Sequence, residues 1–383
     1  MSQIKRGIYI EQLVTIVLFA LLFLSALFTS YESPLRYLKY ILFPLLTFFL
    51  FFIKRMNVSK LLLRNILLYI GLLAFNLIIS TVSGKLSFRF IEESLLIMLP
   101  LLSVFIFVGF KNLNVGSAIT TIFYSYVLAF FIFNFKFLIN IPKLLSSFIT
   151  ALRLSYFPTE SWMAFPFGVF TLYFLIEKNY KNSMIAGFFF LLSFKRISMF
   201  AFIIAISIYL LSKFLNNRFN RNKVVGYFIV LNAVLLTTLY FFINGFFTRV
   251  IYKLTGISIN HFSQGRFQIY NDVINHFSDR IWLGASLGFT HLYLDNKYED
   301  ISYLHSDILK IIIELGIVSF LIWLLYFMYI NLSNKKAVPI VLFINILFLS
   351  DNVFIYFDTL FVFYLVLVKF DKDEQIQKNS IEK

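Results

Sequence analysis

Apolar runs of about the length of a membrane-spanning helix fill most of this sequence. Hydrophobic residues make up 60% of the 383 positions, phenylalanine alone accounts for 52 of them, and the mean hydropathy is +0.83. A compact water-soluble core cannot hide that much apolar surface. The pattern therefore predicts an all-α, polytopic integral membrane protein.

About 20 apolar residues are needed for one helix to cross the hydrocarbon core of a bilayer. This length predicts about 12 transmembrane helices, with counts of 10 and 11 left open. They lie near residues 8–28, 35–53, 61–82, 90–110, 115–135, 161–176, 183–194, 197–212, 224–243, 306–330, 337–350 and 353–369. The first run exceeds the core of a signal peptide and has no small-residue cleavage site, so we expect it to be retained.

Short basic segments between the runs indicate the orientation of the chain, because cytoplasmic loops collect Lys and Arg. Twelve spans with both termini cytoplasmic place the dense basic clusters at 54–64 and 213–223 inside. The same arrangement places the one long hydrophilic segment, residues 244–304, on the outer face. The formal charge of +15 is then explained by orientation in the membrane, and no nucleic acid partner is expected. Residues 1–383 are expected to form a single membrane domain.

A basic pair, Lys195 and Arg196, separates two apolar runs in the segment FKRIS. A charge inside a span costs a few kcal/mol or more, so its position needs a reason. Two explanations stay open: a helix-end pair whose side chains reach the headgroups, or an anion site, since the arginine fork matches phosphate oxygens. For Glu92 and Glu93, at the start of the fourth span, an interfacial position is expected.

The outer loop contains an amphipathic helix with Ser263 as a possible N-cap. At 100° per residue, five side chains fall within about 40° of one line: Arg266, Tyr270, Val273, Phe277 and Arg280. Two arginines on the apolar side fit either a helix lying on the membrane or a site for a lipid-linked phosphate. After it, Gly284 and Gly288 predict a tight turn.

The tenth predicted span begins at a polar segment, HSDILKIIIELGIVS, residues 305–319. Eleven residues make about three helical turns, so Gly316 is expected directly below His305 on one helix face. Small residues at 316 and 319 would let a neighbouring helix approach closely on that face. The opposite stripe, formed by Asp307, Lys310 and Glu314, is expected to be a self-neutralising surface.

Several classes of chemistry have no support in the sequence. There is no cysteine, and the four histidines, at positions 261, 276, 291 and 305, are spaced about 15 residues apart, which matches no compact metal-ligand motif. The motifs of serine hydrolases, ATPases and nucleotide-dependent transferases are not found either. We therefore expect neither a metal nor a cofactor.

These residues resemble the O-antigen polymerase and O-antigen ligase superfamily. Arg266 in a loop helix, a glycine pair after Trp282, and His305 and Ser306 followed after nine residues by Gly316 match the order and spacing of the family over about residues 160–370. Ser319 is a mild departure at the last position. FKRIS is similar to the family's basic pair, and SDNVFIYFD, residues 350–358, to its polar stretch before the final span.

The resemblance implies a metal-independent, GT-C-like membrane glycosyltransferase in the bacterial cytoplasmic membrane. Its donor would be an undecaprenyl-diphosphate-linked oligosaccharide. His305 and Arg266 would be catalytic, and the diphosphate would be held by Arg196, Arg266, Lys195 and Arg280. Membrane lipid, a chain-length regulator and a flippase are the other partners that the resemblance implies.

Three functions remain open. A polymerase joins lipid-linked repeat units, whereas a ligase moves the finished glycan onto lipid A core, and both share these motifs. The third is a transporter, such as a lipid-linked sugar flippase or a polysaccharide exporter. Transporters often carry repeated halves and a midplane site. Here the polar residues concentrate at one face and in one loop, which favours the enzyme, and we favour the polymerase.

Overall fold

The computed structural model describes residues 16–381 with gaps at 18, 32, 54–58, 110–113, 141–156, 215–219 and 299–300. The described residues contain helices and connecting segments and no β-strand. In chain order the helices are α1 Phe19–Ser30, α2 Leu38–Ile53, α3 Lys60–Val82, α4 Phe88–Gly109, α5 Val115–Leu138, α6 Ala164–Ile176, α7 Tyr180–Leu192, α8 Arg196–Phe214, α9 Arg221–Ile243, α10 Thr248–Thr255, α11 Ile259–Phe262, α12 Arg266–Phe277, α13 Phe289–Lys297, α14 Asp307–Glu314, α15 Gly316–Asn331, α16 Val338–Ser350 and α17 Phe357–Ile381.

The helices confirm an all-helical chain of membrane character. Each predicted span overlaps a helix, although the first half of the 8–28 span and both termini lie outside the described residues. Three of the described helices, α3, α5 and α9, are long and apolar enough to cross a membrane. The count of twelve crossings, the GT-C-like class and the cytoplasmic location of the termini stay predictions.

Helix α17 forms the centre of the bundle. It packs against α3, α4, α5 and α6, and its residues 360–368 are all buried. A helix that is apolar on every side is expected to be surrounded by other helices. Helices α6 and α7 pack against each other, and each has 13 residues. Such a helix is about 20 Å long, shorter than the hydrocarbon core of a bilayer.

Polar contacts between helix ends fall into two sets at opposite ends of the bundle. On the side predicted to be outside, Lys39 pairs with Asp358 and Lys195 with Asp351, each at 2.8 Å. At the other end Lys336 pairs with Glu177 at 2.7 Å. Ion pairs thus connect helix ends on both sides of the bundle, and the assignment of the sides to membrane faces stays a prediction.

The amphipathic helix of the outer loop is present as α12. The side chains of Tyr270, Val273 and Phe277 are buried, as the periodicity predicts. The N-cap prediction is wrong: the helix begins at Arg266 after Gly265, which has φ +82°. Ser263 instead accepts a hydrogen bond from the Phe267 amide at 3.1 Å.

The prediction of one continuous helix over 306–330 is also wrong. Helix α14 ends at Glu314, and α15 begins at Gly316, whose φ is +88°. The break frees carbonyl groups, which accept hydrogen bonds from the outer loop: the amides of Ala285 and Ser286 donate to Ile313 and Glu314 at 2.9 and 3.1 Å. The outer loop is thereby fixed to the bundle through backbone hydrogen bonds.

Gly316 and Gly284 face each other across this contact. A Cβ at Gly316 would lie 2.4 Å from the Trp282 carbonyl oxygen, and one at Gly284 would lie 2.3 Å from that of Glu314. Both glycines have positive φ values, which L side chains adopt at a cost. The close approach predicted at Gly316 exists, but its partner is the backbone of the 282–284 turn, not a neighbouring helix.

Candidate active site

A cavity of about 570 Å³ opens at the predicted outer end of the bundle, between α8, α9 and α12. Its lining contains a charged set and an apolar set of side chains. The charged part consists of Glu160, Lys195, Arg196, Arg266 and Asp351, and the apolar part includes Ile197, Phe200, Leu235, Leu239 and Phe242. Positions 235, 239 and 242 recur at helical spacing, so they form one stripe along α9. The cavity thus joins a cationic head region to an apolar groove.

The two arginines expected to bind an anion both line this cavity, 70 residues apart in sequence. Arg196 is the first residue of α8 and is exposed. Arg266 is the first residue of α12, and its Nη1 donates to the Ser350 carbonyl oxygen at 3.2 Å. Within the described ranges neither guanidinium has a carboxylate within 4.0 Å. Both forks therefore keep donors free for a ligand in the cavity.

Lys195 reaches the same cavity but is already paired. Its Nζ lies 2.8 Å from Asp351 Oδ2 and 4.5 Å from the centre of the Phe165 ring. A lysine neutralised by a buried carboxylate attracts a second anion less strongly than a free cation does. Lys195 therefore contributes to the candidate site mainly through its ion pair with Asp351.

Asp351 is the residue that connects the parts of the site. Its side chain is 1% exposed, and its Oδ1 lies 3.8 Å from His305 Nδ1. Burial alone would raise the pKa of the Asp351 carboxyl, but the His305 imidazole and the Lys195 ammonium hold that pKa below its usual range. A buried carboxylate at this distance helps to orient the imidazole ring.

His305 lies beside this cavity, outside the helix on which we expected it. Helix α14 begins two residues later, with Ser306 as its N-cap, so the turn count that placed His305 above Gly316 on one face is wrong. The histidine has φ +54°, and its carbonyl oxygen accepts a hydrogen bond from the Tyr270 hydroxyl at 2.8 Å. Asn352 Nδ2 lies 3.4 Å from its Nδ1. These contacts fix the histidine against α12 and the 351–352 turn.

Arg280 is not brought to the other cations. It ends the 3-10 turn Ser278–Arg280 that follows α12, and it is exposed away from the cavity lining. The change from α-helix to 3-10 geometry rotates it away from the direction that a continuous helix would give.

Glu160 and Asp351 are site residues that the sequence analysis did not single out. Burial raises the pKa of the Glu160 carboxyl, although Lys195 and Arg196 lie close enough to oppose that effect. Asp351 carried a weak signal, since it stands in the polar segment between two apolar runs. Glu160 follows a segment outside the described residues, and no spacing pattern connects it to the arginines.

The predicted surface stripe of α14 is buried, so that interpretation is wrong. Asp307, Lys310 and Glu314 are 1%, 6% and 0% exposed. Lys310 Nζ lies 2.7 Å from Glu93 Oε2, and Glu93 is itself buried, not interfacial as expected. Glu314 accepts a hydrogen bond from the Thr290 amide at 3.0 Å. The predicted pairing within the stripe is not found among the described residues: Lys310 pairs with α4, and Glu314 contacts the outer loop.

The four histidines lie in different surroundings. His291 Nδ1 is 2.9 Å from Asp295 Oδ2, and His276 stacks on Tyr293 with 4.3 Å between ring centres. Across the described ranges no three His, Cys, Asp or Glu side chains stand close enough to hold a metal ion. His305 is the histidine next to Asp351, and Asp351 lines the cavity together with Arg196 and Arg266.

Residues 182–324 match a family model, Wzy_C, described as O-Antigen ligase. The match confirms the resemblance to the O-antigen polymerase and ligase superfamily. It covers Lys195, Arg196, Arg266 and His305, whereas Glu160 and Asp351 lie outside it. No curated protein and no solved structure matches the chain.

Proposed function

We propose that this chain, whose residues 182–324 match the O-antigen ligase family, is a polysaccharide polymerase of a bacterial cytoplasmic membrane. It would join undecaprenyl-diphosphate-linked oligosaccharides on the outer face, producing O-antigen, capsule or exopolysaccharide. The growing chain is transferred from one lipid carrier to the sugar of another, and the lipid diphosphate leaves.

The observation that carries this proposal is the amphipathic cavity between α8, α9 and α12. Two arginines without a carboxylate partner in the described chain stand at its polar end, and apolar side chains continue from them along α8 and α9. An anionic head on a long hydrocarbon chain fits both parts. The guanidinium groups match the phosphate oxygens, and the groove accepts the lipid.

The residues support a simple reaction. His305 takes the proton of an acceptor hydroxyl, whose oxygen attacks the anomeric carbon of the donor sugar while the bond to the diphosphate oxygen breaks. Arg196 and Arg266 stabilise the negative charge that develops on the leaving diphosphate. Asp351 stabilises the imidazolium that forms. The donor is already activated by its diphosphate, so the reaction balances without a nucleotide.

Two alternatives make different demands on the structure. The ligase uses the same donor site and differs only in its acceptor, lipid A core. A flippase or exporter needs a path across the membrane with polar groups near the midplane. Here Arg196, Arg266 and His305 collect at one end of the bundle, which favours transfer at one face.

The test is a polymerisation assay with purified protein in lipid nanodiscs, supplied with lipid-linked repeat units and no lipid A core. We expect longer glycans that remain linked to lipid. Arg266→Ala and His305→Ala are expected to lower the rate at least about a hundredfold, as removal of a charge-stabilising or proton-transferring group does.

The matched control is Arg249→Ala, because Arg249 lies in the same outer loop and is exposed on α10. It is expected to polymerise at the wild-type rate. If Arg266→Ala and His305→Ala extended the glycan at the wild-type rate, the proposed site would be refuted. Transfer that occurs only after lipid A core is added would identify a ligase.

A further inference from the structure

A second cavity, of about 460 Å³, lies at the same end of the bundle. It is formed by the outer ends of α2, α4 and α17 together with the segment that precedes α6. Apart from Glu92 and residues 355–358 of the polar stretch before the final span, the sequence analysis did not single out the residues that line it, and the proposed donor site does not use them.

Two short segments, 160–162 and 351–356, contribute lining residues to both cavities. Glu160 lines the first cavity and Trp162 the second; Asp351 lines the first and Tyr356 the second. Tyr303 lines the second, two residues before His305, whose imidazole lies beside Asp351. His305 itself is in the lining of neither cavity, but it stands 3.8 Å from Asp351 of the first and two positions after Tyr303 of the second. A glycosyl transfer needs the acceptor hydroxyl at such a position, next to both the base and the donor sugar.

Aromatic side chains dominate the wall of the second cavity. They include Tyr37, Tyr40, Trp162, Tyr303 and Tyr356. Tyrosine and tryptophan offer a flat apolar face together with a hydrogen-bonding group, which matches a sugar ring with its C–H faces and hydroxyl groups. The Trp162 indole nitrogen is buried and has no hydrogen-bond partner in the described part of the chain. The part of Trp162 that a sugar in the cavity can contact is therefore its ring, because the nitrogen is shielded.

The charges of the second cavity differ from those of the first. Lys39 is paired with Asp358 at 2.8 Å, and Asp358 also accepts a hydrogen bond from the Tyr126 hydroxyl at 2.7 Å. Arg89 is paired with Glu92. Arg36, the third cation of the lining, donates to the Tyr37 hydroxyl at 3.0 Å. Two of the three cations are thus held by carboxylates, which makes them poor partners for a diphosphate, whereas mixed donors and acceptors suit an uncharged polyhydroxyl ligand.

We infer that the second cavity binds the acceptor sugar, the terminal residues of the glycan that attacks the donor. The inference rests on the proposed polymerase function and adds to it the position of the acceptor. In this arrangement the donor diphosphate lies on Arg196 and Arg266, the acceptor sugar stacks near Trp162, and His305 lies between them.

The test is a binding measurement that needs no turnover. The probe is the repeat-unit oligosaccharide released from its lipid carrier by mild acid hydrolysis, titrated into the full-length protein in nanodiscs while tryptophan emission is recorded. We expect a saturable change in wild type, its loss in Trp162→Phe, and its retention in Trp282→Phe, since Trp282 is 66% exposed in the outer loop. No saturable change in wild type, or an equal change in Trp162→Phe, would overturn the inference.

A kinetic measurement separates this inference from the proposed function. With the same oligosaccharide as acceptor at a fixed donor concentration, Trp162→Ala is expected to raise the acceptor KM on the order of tenfold, with little change in kcat. If Trp162→Ala still extends the glycan and its acceptor KM is unchanged, the acceptor site is contradicted and the proposed polymerase function is not. Trp162-dependent binding without any chain growth would support a sugar site and contradict the polymerase.

Discussion

At the scale of single residues, Asp351 connects the other residues of the candidate site to one another. Its buried carboxylate contacts Lys195 at 2.8 Å and His305 at 3.8 Å, and its backbone carbonyl accepts a hydrogen bond from the Asp307 amide at 3.2 Å. Removing the charge would leave Lys195, whose side chain is 18% exposed, without its counter-ion. Such a loss is costly, because the remaining charge stays largely desolvated.

We predict that Asp351→Asn lowers the free energy of unfolding by about 2 kcal/mol. The folded-state pKa of Asp351 is lowered, so its stabilisation is complete above the ordinary aspartate pKa of about 4 and is lost only as pH falls below it. The difference in melting temperature between wild type and Asp351→Asn, measured in detergent, should therefore be constant from about pH 5 to pH 8. A difference that disappears on going from pH 8 to pH 6 would contradict this account.

The charged and titratable residues of the candidate site could be predicted from the sequence, but the residues that they contact could not. Arg196 and His305 stand at breaks in apolar runs, where a charged or titratable side chain needs a reason, and Arg266 lies on the apolar side of an amphipathic helix. Asp351 is 156 residues from its partner Lys195, and only the packing of α16 against α8 brings them together. Local spacing contains no information about such a contact.

At the scale of elements, the break between α14 and α15 fixes the outer loop. We predict that Gly316→Ala lowers the free energy of unfolding by roughly 3 kcal/mol or more, because the new Cβ adds overpacking to an unfavourable positive φ. Gly256→Ala is the matched control: its φ is +73°, and apart from its chain neighbours no atom of the described residues lies within 4 Å of where its Cβ would stand. It should cost about 1 to 2 kcal/mol. Equal melting temperatures for the two variants would refute the close-contact explanation.

The helices themselves were predictable from apolar length, and the break was not. Glycine is common inside membrane helices, so Gly316 alone gives no reason to end one. The break depends on hydrogen bonds from Ala285 and Ser286, about 30 residues earlier. Because the expected helix continued through 306–330, the position of His305 and the burial of Lys310 were both misjudged.

At the scale of the whole molecule, two cavities share one end of the helical bundle. The first combines Arg196 and Arg266 with an apolar groove, and the second is aromatic and contains paired charges. His305 lies 3.8 Å from Asp351, a lining residue of the first cavity. This arrangement suits the transfer of a glycan between two substrates that meet at one membrane face, and the central claim is that the first cavity holds the lipid diphosphate.

Binding of undecaprenyl diphosphate to the protein in nanodiscs, followed by native mass spectrometry, tests that claim most directly. We predict that Arg196→Ala and Arg266→Ala each weaken binding by at least about tenfold, since a charge-assisted hydrogen bond contributes about 1.5 to 3 kcal/mol. Arg249→Ala should bind like wild type. Equal affinity of wild type, Arg196→Ala and Arg266→Ala for the lipid would contradict the account.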